Sequence, residues 1–170
     1  MKKIIFTLFL SFLLLSLNVY AAESTSSVNS SQENQAPAIK FPTANGEVQL
    51  TDFKDKVVYL DFWASWCLPC KKSFPWMRDM KKRYADQGFE ILAVNLDKDK
   101  ALADEFLQQM DVNFVVAFDA SGDVAAEYKL RGMPSSYLIG RDGKIYASHI
   151  GFREKDKMKL ERVIKNLLSK

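Results

Sequence analysis

Cys67 and Cys70 are the only cysteines in the 170-residue chain, and they stand three positions apart. Ahead of them runs Val57-Val58-Tyr59-Leu60, apolar and β-favouring; after them, from Lys71, the spacing is helical. The pair therefore falls where a buried strand hands over to a helix, with Cys67 near the helix N-terminus and Cys70 one turn in. Residues at i and i+3 share one helix face, so the two sulfurs can close a small ring. Unpaired N–H groups and the positive end of the helix dipole favour an anion there, so the Cys67 thiol should ionise more readily than a free one. This spacing suits thiol–disulfide exchange. Two other uses fit less well. A disulfide closing so short a loop stabilises weakly. Zinc needs about four ligands, and the chain adds only one histidine, His149, to its two cysteines.

The elements that must position the pair follow from the rest of the chain. The helix from Leu68 is expected to run over 68–87, stop at Gly88 and kink at Pro75. A second buried strand is read at 89–96, a helix at 101–110, a third strand at 114–118 and a short helix at 123–129. Strands at 135–140 and 144–150 flank Asp142-Gly143, a strong hairpin signal. A closing helix over 154–168 carries Leu160, Val163, Ile164, Leu167 and Leu168 on one stripe. Before the first buried strand, 41–46 reads as a turn, 47–50 as a short edge strand and 51–56 as polar punctuation. The sum is an α/β fold, a central mixed β-sheet flanked by helices.

Lys2-Lys3, an apolar core over 4–17 and small residues up to Ala21 form the three parts of a secretory signal peptide at 1–21. That core is short for a bilayer span of about 20 residues; an uncleaved inner-membrane anchor is the lesser alternative. Residues 22–36, rich in Ser, Asn and Gln, read as a flexible linker, leaving 37–170 as the folded domain. Removing Lys2 and Lys3 leaves 22 basic against 21 acidic residues, a balance of +1. Nothing in that balance points to nucleic acid. Export places the protein in the periplasm or cell envelope, where a dithiol is oxidised unless something keeps reducing it.

Trp66-Cys67-Leu68-Pro69-Cys70 at a strand-to-helix turn, with Gly132-Met133-Pro134 ahead of a later strand, resembles the thioredoxin superfamily. It is most similar to the TlpA/ResA-like thiol–disulfide oxidoreductases of the bacterial cell envelope. The resemblance covers about residues 36–170, including an inserted helix–strand segment near 98–118 and an N-terminal extension. It implies that Cys67 attacks and Cys70 resolves; helix position, together with Lys71 and Lys72, makes Cys67 the expected exposed thiol and Cys70 the buried one. Pro134 matches a cis-proline that turns the Met133 backbone toward an incoming substrate strand. Trp66 joins Met133 and Pro134 at the substrate side, and Trp63 and Trp66 are expected to pack around the site. Asp61, six positions before Cys67, matches a buried acid with a raised pKa that exchanges protons with Cys70.

The chain departs from that family in two places. It reads Cys70-Lys71-Lys72-Ser73-Phe74-Pro75 where relatives often carry an acidic residue. It also has Lys98, beside Asp97, where some place a glutamate. Both changes imply less negative surroundings for Cys67. Pro69 between the cysteines resembles the reducing members, so a reductant is implied, with no cofactor and no metal. Expected partners are disulfide-bearing envelope proteins, an apocytochrome c or a copper-site protein among them, and a membrane thiol reductase of the DsbD/CcdA type as electron donor. A monomer is expected. A copper-binding module using His149, or a disulfide oxidase or isomerase, is the alternative; otherwise His149 reads as a strand histidine without a catalytic role.

Overall fold

The computed structural model describes residues 34–170; the expected signal peptide and most of the linker lie outside the described residues. In chain order the elements are β1 (Lys40–Thr43), β2 (Gly46–Gln49), β3 (Val57–Trp63), α1 (Leu68–Tyr84), β4 (Phe89–Asn95), α2 (Lys100–Met110), β5 (Val115–Phe118), α3 (Asp123–Glu127), β6 (Ser135–Ile139), β7 (Ile145–Ile150) and α4 (Lys157–Leu168). The seven strands form one sheet in the order β2-β1-β5-β4-β3-β6-β7. β3–β4 and β4–β5 pair in parallel, and the remaining neighbours are antiparallel. The mixed, helix-flanked sheet expected from the sequence is the one found.

β3 and β4 hold the middle because they are apolar on both faces, and all seven residues of each are buried. Alternation along β3 sends Val57, Tyr59 and Trp63 into one cluster with α1 and α4, and Val58, Leu60 and Phe62 into another with Phe41, Phe53 and Val124. Asp61 shares the parity of Tyr59 and Trp63, so its side chain enters the α1 side. Fully buried side chains of this size contribute roughly 1.5–3 kcal/mol each, and Trp63, Phe74 and Phe106 add ring–ring contacts at 4.7–4.9 Å.

The ends of several elements differ from expectation for local reasons. α1 stops at Tyr84 and a 3-10 turn, Ala85–Gln87, carries the chain to Gly88, whose φ of +85° suits glycine. The segment read as a turn at 41–46 overlaps β1, a four-residue strand paired to β2 through Lys40↔Gln49 and its neighbours. The polar segment after β2 is a 3-10 turn, Leu50–Phe53, that buries Phe53. The last residues read as linker are tied down: Ile145 N–H donates to Asn34 O at 2.8 Å and Ala36 N–H to Gly143 O at 3.0 Å. Gly143, at φ +75°, fits both the hairpin turn and this contact, since a Cβ there would lie 2.6 Å from Gln35 Nε2. Among the described residues no helix is long and apolar enough to cross a membrane.

Candidate active site

Cys67 is the N-cap of α1, with extended backbone at φ −83°, ψ 100°. Its Sγ accepts the Cys70 backbone N–H at 3.3 Å, an interaction that favours negative charge on sulfur. Pro69 sits in the first helical turn, where a missing N–H costs nothing. The two cysteines are joined as a disulfide, their Cα atoms 5.3 Å apart. In this oxidised state Cys67 is only 4% exposed and Cys70 not at all. The exposed Cys67 expected from the sequence is the free thiol; in the disulfide Cys67 is buried, and it lines a groove.

That groove, of about 570 Å³, is lined by Trp66, Cys67, Leu68, Pro69, Leu96, Ala125, Leu130, Gly132 and Met133. Trp66 and Leu68 stand 69% and 66% exposed. Trp66 thus forms an exposed rim of the groove beside Cys67, whereas Trp63 is wholly buried. Exposed apolar side chains flanking a redox sulfur offer a surface for an extended partner chain. The Met133–Pro134 peptide is cis. Met133 lines the groove, while Pro134 is buried behind it and its carbonyl accepts the Gly151 N–H at 2.7 Å. A second cavity of about 320 Å³, between the 34–39 segment and the 140–143 turn, contains no cysteine or histidine.

The loop before Cys67 is held by Asp97, whose position was noted in the sequence but whose role was missed. Its carboxylate accepts the Ser65 N–H at 2.8 Å and the Ser65 hydroxyl at 2.9 Å, and the Asn95 side-chain amide at 2.7 Å. The Asp97 carboxylate is therefore bonded to Ser65, which stands two residues before Cys67 along the chain. Its charge is taken up by these donors. Lys98 is exposed.

Asp61 is fully buried. Its Oδ1 accepts the Ser136 hydroxyl at 2.8 Å, and Ser136 Oγ in turn accepts the Tyr59 hydroxyl at 2.7 Å. Oδ2 has no hydrogen-bond partner. Burial pushes the Asp61 carboxyl from the usual carboxylate range up to about 7, and the Ser136 hydrogen bond holds it down in part. Burial first, and then the charge of Asp61, raise the Tyr59 hydroxyl well above its ordinary value. Cys70 is the one titratable side chain that α1 buries against this face. Asp61 is thus a buried carboxyl of raised pKa on the α1 side of the sheet, and it does not line the groove. His149 lies on β7, its Nε2 3.3 Å from Asp156 Oδ2, and it does not line the groove at Cys67.

The comparisons agree with this geometry. The family model described as Redoxin matches residues 31–164. The thiol-disulfide oxidoreductase ResA of Bacillus subtilis is 36% identical over 132 residues, spanning 77% of this chain and 74% of that protein. ResA of Bacillus thuringiensis subsp. konkukian is 35% identical over 134 residues, or 78% and 76% of the two chains. Among solved structures, a Chlorobium tepidum protein carrying the provisional assignment thiol:disulfide interchange protein DsbE superposes with a TM-score of 0.78 at 47% identity. That match covers 79% of this chain and 96% of the other. With a buried-strand-to-helix disulfide, a cis-proline loop and these relatives, the chain belongs to the Redoxin family and is a thiol–disulfide oxidoreductase of the thioredoxin fold, similar to ResA.

Proposed function

We propose that the protein is exported to the periplasm or cell envelope and works there mainly as a reductant of client disulfides. Cys67 as thiolate attacks a client disulfide and forms a mixed disulfide; Cys70 then attacks the Cys67 sulfur, and the client leaves as a dithiol. Asp61 takes the proton of Cys70 as that thiol becomes a nucleophile. Met133 and Pro134 offer backbone to the client strand, and Trp66 contributes apolar contact beside Cys67. Clients are disulfide-bearing envelope proteins, an apocytochrome c or a copper-site protein among them. A membrane thiol reductase of the DsbD/CcdA type returns the electrons. The observation that carries this reading is the asymmetry of the pair: Cys67 lines the groove, and Cys70 is wholly buried on the face of the sheet that holds Asp61. Pro69 favours the reducing direction, for which a potential near about −270 mV is expected, against about −120 mV for a strong oxidant such as DsbA.

The test is covalent trapping in cells. Cys70→Ala leaves the first attack intact and removes the second, so clients should accumulate on Cys67 as thiol-reversible adducts on non-reducing gels. Cys67→Ala should trap none. Equal trapping by both variants, or the reverse pattern, would refute the assignment of attacking and resolving thiols.

A further inference from the structure

Disulfide exchange at Cys70 moves a proton as well as electrons, and neither Cys70 nor Asp61 has any solvent-exposed surface. A proton bound for Asp61 needs another way in. Ser136 bonds to Asp61 Oδ1 and Tyr59 bonds to Ser136, at 2.8 and 2.7 Å. With the carboxylate ionised, Ser136 must donate to it, so the serine oxygen is the acceptor for Tyr59 and each hydroxyl hydrogen points inward. The sheet register then continues the line: Asp61 pairs with Ser136 across β3–β6, and Ser136 pairs with His149 across β6–β7. Between them lies a small cavity of about 10 Å³, lined by Tyr59, Ser136, Leu138, Ala147, Ser148, His149 and Leu160. That is room for about one water, with Tyr59, Ser136, Ser148 and His149 as the polar residues around it. His149 Nε2 is buried, has no aligned hydrogen bond and lies 3.3 Å from Asp156 Oδ2.

We propose that Ser136, Tyr59 and His149 form a side entrance for protons, through which Asp61 exchanges its proton at the β6–β7 edge while a partner covers the Cys67 groove. The inference rests on the Asp61 role proposed above. This path shares no residue with the lining of the groove. In re-reduction, a thiolate of the donor attacks Cys67, the Cys67–Cys70 bond breaks, and Cys70 leaves with the electron pair as thiolate. The proton it needs comes from Asp61, which is recharged from solvent through His149, the cavity water, Tyr59 and Ser136. When the reduced protein acts on a client the same proton leaves by the reverse route. The ionisable and charged groups facing this line are few. Tyr59 lies on β3 and Cys70 on α1; β4 offers only Ala93 opposite Asp61. His149 is on β7, and beyond it Asp156 and its partner Arg153 precede α4. The Asp61 carboxyl, at about 7, is matched to such traffic.

Stopped-flow reduction of the oxidised full-length protein by dithiothreitol, followed by tryptophan fluorescence between pH 6 and 8, tests the path. Tyr59→Phe keeps the ring on Trp76 and removes one hydroxyl; Ser136→Ala removes the other. Each should slow reduction about tenfold at pH 7, a modest part of what proton transfer contributes, and raise the solvent deuterium isotope effect. Both losses should vanish when Asp61 is already Asn. His149→Gln should also slow reduction at pH 7 while the melting temperature stays close to the parent's. If Asp61→Asn alone slows reduction while Tyr59→Phe and Ser136→Ala react at the parent rate, the path is overturned and the role of Asp61 stands. Equal losses with and without Asp61 would make the hydroxyls structural and also overturn it. An unaffected Asp61→Asn variant would remove the role of Asp61 and the path together.

Discussion

Phe62 and Asp61 are neighbours on β3, both wholly buried, yet their side chains enter opposite faces of one sheet. Phe62 joins Phe41, Leu60, Val94 and Ile139, with its ring 5.3 Å from that of Tyr128. Asp61 shares its face with Tyr59, Ser136 and Cys70, and leaves one carboxylate oxygen without a partner. One face is built to exclude water and hold the sheet together. The other gives up stability to keep a carboxyl poised between its two protonation states. On the reading proposed above, the proton chemistry lies on the Asp61 side, while the Phe62 cluster supports the groove only through Leu96, Ala125 and Leu130 packed against it.

The comparison breaks most visibly if the apolar neighbour is removed. Phe62→Ala should cost about 3–5 kcal/mol of stability, read by urea unfolding, while reduction by the molecules still folded keeps its rate and pH dependence. A change in pH profile would mean the two faces are not independent.

Asp61→Asn should act in the opposite direction. The folded carboxyl titrates near 7 and the ordinary value is 3.8, so the folded state keeps a proton that the unfolded state has released. Stability therefore falls as pH rises through that window: the cost is absent below it and complete above it. Replacing the carboxyl should add up to about 4 kcal/mol at pH 8 and clearly less at pH 5, while slowing reduction. A gain of equal size at both pH values would contradict the charged-burial account.

A smaller effect belongs to the loop. Asp97→Ala strips the acceptor from two donors of Ser65 and from Asn95, and should cost about 1–3 kcal/mol. It should also slow attack by Cys67, because the loop that leads into α1 loses its anchor. Normal kinetics in a destabilised variant would restrict Asp97 to stability.

Much of this was legible in the chain, for identifiable reasons. Val57 to Leu60 announced a central strand because parallel strands covered on both faces are continuously apolar. The cysteine spacing and Pro69 marked the start of α1. Asp142-Gly143 marked the hairpin that brings β7 beside β6. What stayed hidden needed long-range register. Ser136 lies 75 residues from Asp61 and Tyr59 lies 77 from Ser136; in the sequence one is an ordinary strand serine and the other a core aromatic. Ser65 meets Asp97 across 32 residues, and no local pattern reports that bond. β1 was missed because Pro42 and its four-residue length suppress the strand signal. The ordering of 34–36 comes from pairing with the β7 hairpin, which a polar composition cannot foretell.

The central claim, a carboxyl held near neutrality inside the sheet, can be read without kinetics. Carbon-13 NMR of the oxidised protein, with the Asp61 carboxyl assigned by comparison with Asp61→Asn, gives its titration midpoint directly. The account predicts a midpoint near 7. A midpoint near 4, in the range of an exposed aspartate, would contradict it.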